Sequence, residues 1–212
     1  MATDLALSLA LGYFLGAIPI GILAGRAFSG IDPRKAGSRN IGFTNVLRVA
    51  GKAAGIVTLI GDMGKGALAI YLARVLIGPA ADDSVLAAGA AAILGHMFPV
   101  FLRFKGGKGV ATALGVLLAT EPAIGGCLVA AWLTAAAIWR MSSLAAVIAF
   151  GSLPLWVWLF HATVPMAAFA TGIIILIVHR HRENISRLRA GTEPKFGQQP
   201  STQGITMKHK LT

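Results

Sequence analysis

Negative charge is scarce in this chain of 212 residues, in which 8 Asp and Glu stand against 19 Lys and Arg. Only 13% of the residues are charged, whereas about 25% is usual in soluble proteins. With 56% hydrophobic residues and a mean hydropathy of +0.73, its helices would lack the polar faces that a soluble helical domain needs. The composition therefore excludes a soluble domain and predicts an all-α protein that crosses a membrane several times.

Cysteine occurs once, as Cys127 within an apolar run, which excludes an intrachain disulfide. We interpret it as a packing residue, because reactive cysteines lie in electropositive and partly exposed surroundings. No group of carboxylates and histidines shares one helix face, so the sequence predicts neither a metal site nor another cofactor.

Seven apolar segments are candidate transmembrane helices. The first lacks the basic start of a cleaved signal peptide, so we expect it to stay in the membrane. The fourth is too short to cross the hydrocarbon as a straight helix, which needs about 20 residues. It could join the fifth as one helix kinked at Pro122, or the two could be separate helices that turn at Glu121 and Pro122. The segments are residues 2–28, 53–77, 84–102, 110–120, 122–139, 142–160 and 164–178.

The distribution of basic residues favours seven transmembrane helices. With seven helices, the Lys and Arg of the loops and of the C-terminal tail share one side. The opposite loops contain Asp82, Asp83, Glu121 and His161 but no Lys or Arg. Cytoplasmic loops carry the excess of Lys and Arg, so the N-terminus is expected outside and the C-terminus in the cytoplasm. Residues 1–190 form a single membrane domain in this interpretation, followed by a polar, disordered tail over residues 191–212. The net charge of +11 then requires no nucleic-acid partner.

The first of three polar stretches within the apolar chain covers residues 37–48 and is rich in hydrogen-bonding groups. An arginine binds a phosphate through two parallel hydrogen bonds, so Arg48 indicates an anionic ligand. A cap for a helix that begins near Ile41 is the alternative role for Ser38 or Asn40, and the two roles are compatible. The neutral candidate binding residues are Ser38, Asn40, Thr44 and Asn45.

The second stretch is a glycine-rich turn formed by Lys105, Gly106, Gly107, Lys108 and Gly109. Glycine lets the backbone approach a ligand, and the free amides of the helix that follows attract anions. An ordinary cytosolic loop with positive-inside lysines is an equally good interpretation of this segment alone. Because the helix that follows is short, we expect the turn to lie below the membrane surface, in a pocket open to the cytoplasm.

The third stretch lies at the end of the last apolar segment, where His181 and Asn184 fall on one face of a helix. A basic collar that binds anionic lipid headgroups is the alternative role for its arginines. Within the membrane, Asp62 and Lys65 have the spacing of an ion pair that joins helices, although charges at this depth are also functional candidates. For His96 we expect a structural role.

The three stretches together resemble the bacterial acyl-phosphate:glycerol-3-phosphate acyltransferases of the PlsY type. Residues 38–48 are similar to the family pattern Ser-Gly-Asn-x-Gly-Ala-Thr-Asn followed by Arg, and residues 181–188 to His-Arg-Glu-Asn-x-x-Arg-Leu. Residues 95–111 match Gly-His-x-x-Pro-x-x-x-x-Phe-Lys-Gly-Gly-Lys-Gly-x-Ala. The chain departs from the pattern at Arg39 and Phe43, where the family usually has glycine and alanine. An exposed Arg39 side chain would be tolerated.

The resemblance implies a bacterial inner-membrane enzyme with its active site facing the cytoplasm. It would transfer a fatty acyl group from acyl phosphate to the 1-hydroxyl of glycerol 3-phosphate, which gives lysophosphatidic acid and phosphate in the first step of phospholipid synthesis. Membrane lipid surrounds such an enzyme, and the soluble enzyme that makes acyl phosphate is a candidate partner. The rival class is a transporter of phosphate or an organic phosphate, although transporters place their site near the midplane.

The resemblance also implies roles for individual residues. We expect the Ser38 loop and the Gly106 and Gly107 amides to hold the donor's phosphate, and Arg48 and Lys108 to bind glycerol 3-phosphate. The proton acceptor is either His181 or a substrate phosphate. The predicted catalytic residues are Ser38, Arg48, Lys108, His181 and Asn184, and the predicted substrate-binding residues are Asn40, Thr44, Asn45, Lys105, Gly106 and Gly107.

Overall fold

The computed structural model describes residues 2–78 and 82–198, which contain ten α-helices and, within these ranges, no strand. Short turns of 3₁₀ helix at Pro33–Lys35 and Val100–Leu102 lie in two of the loops. The helices are α1 (Ala2–Ala17), α2 (Ile20–Ser29), α3 (Phe43–Ile77), α4 (Asp82–Met97), α5 (Val110–Thr120), α6 (Pro122–Trp139), α7 (Ser142–Gly151), α8 (Leu153–Phe160), α9 (Val164–Arg180) and α10 (Arg182–Arg189).

Five helical segments in the described ranges are long and apolar enough to cross a membrane, when α1–α2, α7–α8, and α4 with the 3₁₀ turn after it are each taken as one segment. The number rises to six if α9 and α10, bent by 61°, form one span. Helix α5 is apolar but short, as its sequence predicts. It ends before Glu121, and α6 begins at Pro122, so the two are separate helices rather than one kinked helix. Large apolar side chains cover the outside, including Trp158 at 71% exposure and Val164 at 84%, as expected for a surface in lipid.

A break in the first apolar segment separates α1 from α2 at Ile18 and Pro19. Proline has no N–H to donate, and the carbonyl of Ile18 accepts a hydrogen bond from Lys65 Nζ at 2.9 Å. Lys65 also pairs with Asp62 at 2.8 Å, and His96 Nδ1 lies 3.4 Å from the same carboxylate oxygen. The buried ion pair therefore joins the broken helix to α3 and α4, which is the structural role considered from the sequence.

Helices α1 and α4 approach each other through small residues. Gly12 and Gly16 on α1 face Ala88 and Ala92 on α4, and a Cβ at either glycine would overlap the backbone carbonyl opposite it. In lipid, helix association depends on such close van der Waals packing, because lipid tails are as apolar as the helices themselves.

A kink at Gly51 divides α3 into a short first segment and a long second one. Gly51 has a φ of 90°, which glycine adopts without strain. The kink lets the segment before it, which carries Thr44, Asn45 and Arg48, take a direction different from the membrane-embedded part that carries Asp62.

The first part of the tail packs on the helices. The Phe196 amide donates to the Arg140 carbonyl at 2.7 Å, and the Phe196 ring lies 6.4 Å from that of Trp132. The sequence predicted disorder from residue 191 onwards, whereas residues 191–198 have a described structure. The rest of that predicted segment, residues 199–212, lies outside the described residues.

Gly16→Ala is expected to lower the stability of the protein by about 1–3 kcal/mol, because the methyl group forces α1 away from α4. Thermal unfolding in detergent measures the effect. Gly126→Ala on α6 is the matched control, since an added Cβ there meets no atom within 4 Å. Equal melting temperatures for the two variants would contradict the close α1–α4 packing.

Candidate active site

A cavity of about 840 Å³ lies between α3, α5, α6, α7, α10 and the tail. It brings together residues from all three polar stretches, although they are far apart in sequence. Eight of the predicted site residues line it: Ser38, Asn40, Thr44, Asn45, Arg48, Lys108, His181 and Asn184. The lining also contains large apolar side chains, namely Leu59, Met63, Leu114, Val129, Trp132 and Leu133. The cavity can therefore hold a molecule with a polar head and an apolar chain.

The side chain of Asn45 holds the first loop in shape. Its Oδ1 accepts a hydrogen bond from the Ser38 amide at 2.8 Å. Its Nδ2 lies within hydrogen-bond distance of the carbonyls of Pro33, Ala36 and Asn40, at 2.8–3.1 Å. Asn45 is buried, and these bonds occupy its carboxamide. Asn45 thus has a role in loop conformation, while its predicted contact with substrate stays a prediction.

The other members of this loop leave polar groups directed at the cavity. Neither the Ser38 hydroxyl nor the Arg48 guanidinium has a hydrogen bond or ion pair with the described part of the chain. Asn40 uses only its Oδ1, which accepts from the Gly42 amide at 3.3 Å, and Thr44 Oγ1 lies 2.8 Å from Ser142 Oγ on α7. Arg39, which departs from the family pattern, has a φ of 58° and an exposed side chain, as its tolerance requires.

The glycine-rich turn is held by Arg180 at the end of α9. Arg180 donates from Nη2 to the Gly106 carbonyl at 2.6 Å and from Nε to the Gly107 carbonyl at 3.0 Å. The amides of the same two glycines donate to the carbonyls of Met97 and His96. Both amides are therefore engaged with the end of α4, and the expectation that they bind phosphate stays a prediction.

His96 and Lys105 also take positions that the sequence did not specify. The His96 imidazole packs under the turn, where a Cβ on Gly107 would overlap its Nε2. Glycine at 107 is thus required by close packing rather than by contact with a ligand. Lys105 is exposed and, like Gly106 and Gly107, does not line the cavity.

The two glycines nevertheless place Lys108 inside the cavity, where its ammonium donates a hydrogen bond to Asn184 Oδ1 on α10. Burial lowers the pKa of Lys108 to about 8, while the carboxylate of Glu193 opposes this shift. His181, at the junction of α9 and α10, is buried, and its Nδ1 is 2.8 Å from the Ile177 carbonyl. The carbonyl accepts, so Nδ1 carries the proton and Nε2 is left as the acceptor of the neutral ring.

Glu193, in the tail, is a site residue that sequence reasoning missed. Its carboxylate accepts hydrogen bonds from Ser143 Oγ at 2.6 Å, Asn184 Nδ2 at 2.6 Å and Arg187 Nε at 2.8 Å. Burial acts to raise the pKa of Glu193, but these three hydrogen bonds bring it below its usual value. The one sequence signal for Glu193 is its position shortly after the basic helix α10. The polar tail around it has no periodicity that would predict a site residue.

The charges that line the cavity favour anions. Arg48, Lys108 and Arg187 contribute three cations, against the single carboxylate of Glu193, because the Asp62 carboxylate is already paired with Lys65. Among the described residues there is no group of three or more His, Cys, Asp or Glu that could hold a metal ion. The lining thus combines a net positive charge, which favours anionic groups, with apolar side chains.

Gly107→Ala is expected to destabilise the protein by about 1–3 kcal/mol and to weaken anion binding, because the turn must move away from His96 and carries Lys108 with it. Thermal unfolding in detergent and titration with an organic phosphate measure the two effects. Gly64→Ala on α3 is the control, since an added Cβ there meets no neighbour within 4 Å. A Gly107→Ala variant that matches this control would contradict the described packing.

Known proteins match this chain over most of its length. The family model described as glycerol-3-phosphate acyltransferase matches residues 6–191. A glycerol-3-phosphate acyltransferase of Jannaschia sp. (strain CCS1) is 51% identical over 194 residues, which cover 91% of this chain and 93% of that protein. The corresponding protein of Cereibacter sphaeroides (strain ATCC 17025 / ATH 2.4.3) is 46% identical, with 90% and 89% covered.

Two solved structures share the fold. Both are crystal structures of PlsY (YgiH), described as an integral membrane glycerol 3-phosphate acyltransferase. The glycerol 3-phosphate form is 39% identical with a TM-score of 0.84 and covers 91% of this chain and 96% of that one. The lysophosphatidic acid form is 38% identical with a TM-score of 0.81, with 91% and 95% covered.

Proposed function

The chain belongs to the glycerol-3-phosphate acyltransferase family of integral membrane proteins, and we propose that its acyl donor is acyl phosphate. In this reaction the 1-hydroxyl of glycerol 3-phosphate takes the fatty acyl group, and lysophosphatidic acid and phosphate are the products. The proposal agrees with the two similar structures, which are glycerol 3-phosphate and lysophosphatidic acid forms of PlsY.

The observation that carries the proposal is the composition of the cavity. Unpaired polar groups of Ser38, Arg48 and His181 line the same cavity as the Lys108 ammonium, and apolar side chains from α5 and α6 continue the lining. One substrate is a small soluble phosphate, and the other is a phosphate joined to a long acyl chain. Both head groups fit a cationic cavity, and the acyl chain fits the apolar lining.

We assign glycerol 3-phosphate to Arg48 and Lys108. Arg48 has a complete guanidinium to offer, and Lys108 keeps two N–H groups beyond the one that Asn184 accepts. A guanidinium and an ammonium together match the charge of a phosphate dianion. His181 Nε2 and Asn184 complete this subsite, since both residues line the same cavity.

The donor's phosphate is assigned to the first loop rather than to the glycine-rich turn. The Ser38 hydroxyl and Asn40 Nδ2 are available there, and Thr44 lies beside them next to Ser142. The amides of Gly106 and Gly107 take no part in this assignment, because both already donate to carbonyls at the end of α4.

The chemical step is attack of the 1-hydroxyl oxygen on the acyl carbonyl carbon. The new ester C–O bond forms, the bond between the acyl carbon and the phosphate oxygen breaks, and phosphate leaves with that electron pair. Phosphate is a good leaving group, so the protein mainly positions the reactants and balances charge.

We propose that a substrate phosphate, rather than His181, accepts the hydroxyl proton. His181 Nδ1 is bonded to the carbonyl of Ile177, and no carboxylate in the described residues is hydrogen-bonded to it to stabilise an imidazolium. A histidine that acts as a general base usually has such a partner. Nε2 is then left to hydrogen-bond the substrate.

The orientation of the chain in the membrane is also a proposal. Seven crossings result if the bent pair α9–α10 and the short helix α5 are each counted as a span, with the N-terminus outside, the C-terminus in the cytoplasm and residues 1–190 as one domain. The cavity then faces the cytoplasm of a bacterial inner membrane, where a soluble enzyme that makes acyl phosphate could supply the donor. Support comes from the basic residues of all three polar stretches, which line or adjoin one cavity.

The purified protein is expected to form lysophosphatidic acid and phosphate in equal amounts from acyl phosphate and glycerol 3-phosphate, and no product from acyl-CoA. Arg48→Ala is expected to lower kcat/KM for glycerol 3-phosphate roughly 10- to 100-fold, the range for loss of a hydrogen bond to a charged group. Arg39→Gly is the matched control, since Arg39 is exposed and its φ suits glycine. Product analysis and release of phosphate give the readout.

Folded protein that releases no phosphate from acyl phosphate would contradict the proposed donor. Uptake of labelled glycerol 3-phosphate by vesicles containing the protein, without acylation, would favour the transporter instead.

A further inference from the structure

Residues 192–196 pass over the cavity, and Thr192, Glu193, Pro194 and Phe196 form part of its lining. Only 7% of the Glu193 side chain is exposed. Its carboxylate receives three hydrogen bonds, from helix α7 through Ser143 and from helix α10 through Asn184 and Arg187. A buried carboxylate with three donors has a fixed position.

This position determines which way the Asn184 carboxamide points. A carboxylate only accepts hydrogen bonds, so the group that faces Glu193 must be the Asn184 amide nitrogen, at 2.6 Å. Asn184 Oδ1 then points in the other direction, where it accepts a hydrogen bond from Lys108 Nζ. Glu193, Asn184 and Lys108 thus form a directed chain that ends at the ammonium.

Glu193 also offsets part of the positive charge in the cavity. Burial lowers the pKa of Lys108, and the carboxylate of Glu193 acts against that shift. Lys108 also interacts electrostatically with Arg187 and Glu183 on α10, Arg180 on α9, and His181 between them. Arg48 lines the same cavity. Loss of the Glu193 charge would therefore make the charged form of Lys108 less favourable.

The tail has separate anchors that do not involve Glu193. The backbone of Phe196 is bonded to that of Arg140, and its ring contacts Trp132. The tail is therefore held on the helices at Phe196 as well as at Glu193.

We propose that Glu193 is a positioning residue of acyl transfer, which acts through Asn184 to hold the Lys108 ammonium where the phosphate of glycerol 3-phosphate binds. Glu193 itself contacts no substrate. This inference rests on the proposed function, since it assigns Lys108 to glycerol 3-phosphate.

The test compares the full-length wild type with Glu193→Gln and Glu193→Ala. For the wild type, kcat/KM for glycerol 3-phosphate is expected to fall as pH rises through the pKa of Lys108, about 8, because Lys108 loses its proton. In Glu193→Gln the amide oxygen still accepts from Asn184, but the charge is lost. This decline is then expected at lower pH, with a higher KM and a smaller change in kcat.

Glu193→Ala removes the hydrogen bond as well as the charge, and its kcat/KM is expected to fall roughly 10- to 100-fold. Glu121→Gln is the matched control, because Glu121 lies at the α5–α6 turn beside His161, outside the cavity lining. Its pH profile is expected to match that of the wild type. Thermal unfolding and the elution profile in detergent establish that each variant is folded.

The proposal would be overturned if Glu193→Gln had the same KM and the same pH profile as the wild type, even if its melting temperature were lower. A purely structural glutamate would give that result. Calorimetric titration with glycerol 3-phosphate, over the same pH range, provides a second readout. Wild-type protein that binds glycerol 3-phosphate but transfers no acyl group would refute the proposed function, while the binding profiles would still decide the role of Glu193.

Discussion

The cavity depends on the two hydrogen bonds that Arg180 donates to the carbonyls of Gly106 and Gly107. Irregular backbone within an apolar helical protein is stable only when its polar groups are paired. Arg180 pairs the carbonyls, and the His96 and Met97 carbonyls pair the amides. Because Arg180 belongs to α9, the same contact joins the second polar stretch to the third and brings Lys108 to Asn184.

Around this contact, two asparagines have different functions. Asn45 uses its carboxamide to hold the first loop, which leaves Ser38 and Arg48 directed at the cavity. Asn184 instead connects two charged groups of opposite sign, Lys108 and Glu193. Neutral side chains thus fix the geometry, while the cations supply the affinity for anionic substrates.

Much of this arrangement could be predicted from local patterns. The distribution of basic residues favoured separate helices α5 and α6 over one helix kinked at Pro122, and the structure has two helices. The motif residues indicated one anionic site. The roles that could not be predicted depend on contacts between distant residues. From the sequence, the arginines at the end of the last apolar segment could equally bind lipid headgroups. Glu193 lay in a polar tail without periodicity. From sequence alone the amides of Gly106 and Gly107 indicated an anion site, but in the structure they donate to two carbonyls at the end of α4, those of Met97 and His96.

The most direct test is an experimental structure of the protein with glycerol 3-phosphate bound. We expect the phosphate to lie between the guanidinium of Arg48 and the ammonium of Lys108, with His181 Nε2 near the glycerol hydroxyls and the glycine-rich turn unchanged. A phosphate bound to the amides of Gly106 and Gly107, with Arg48 unoccupied, would contradict the proposed site.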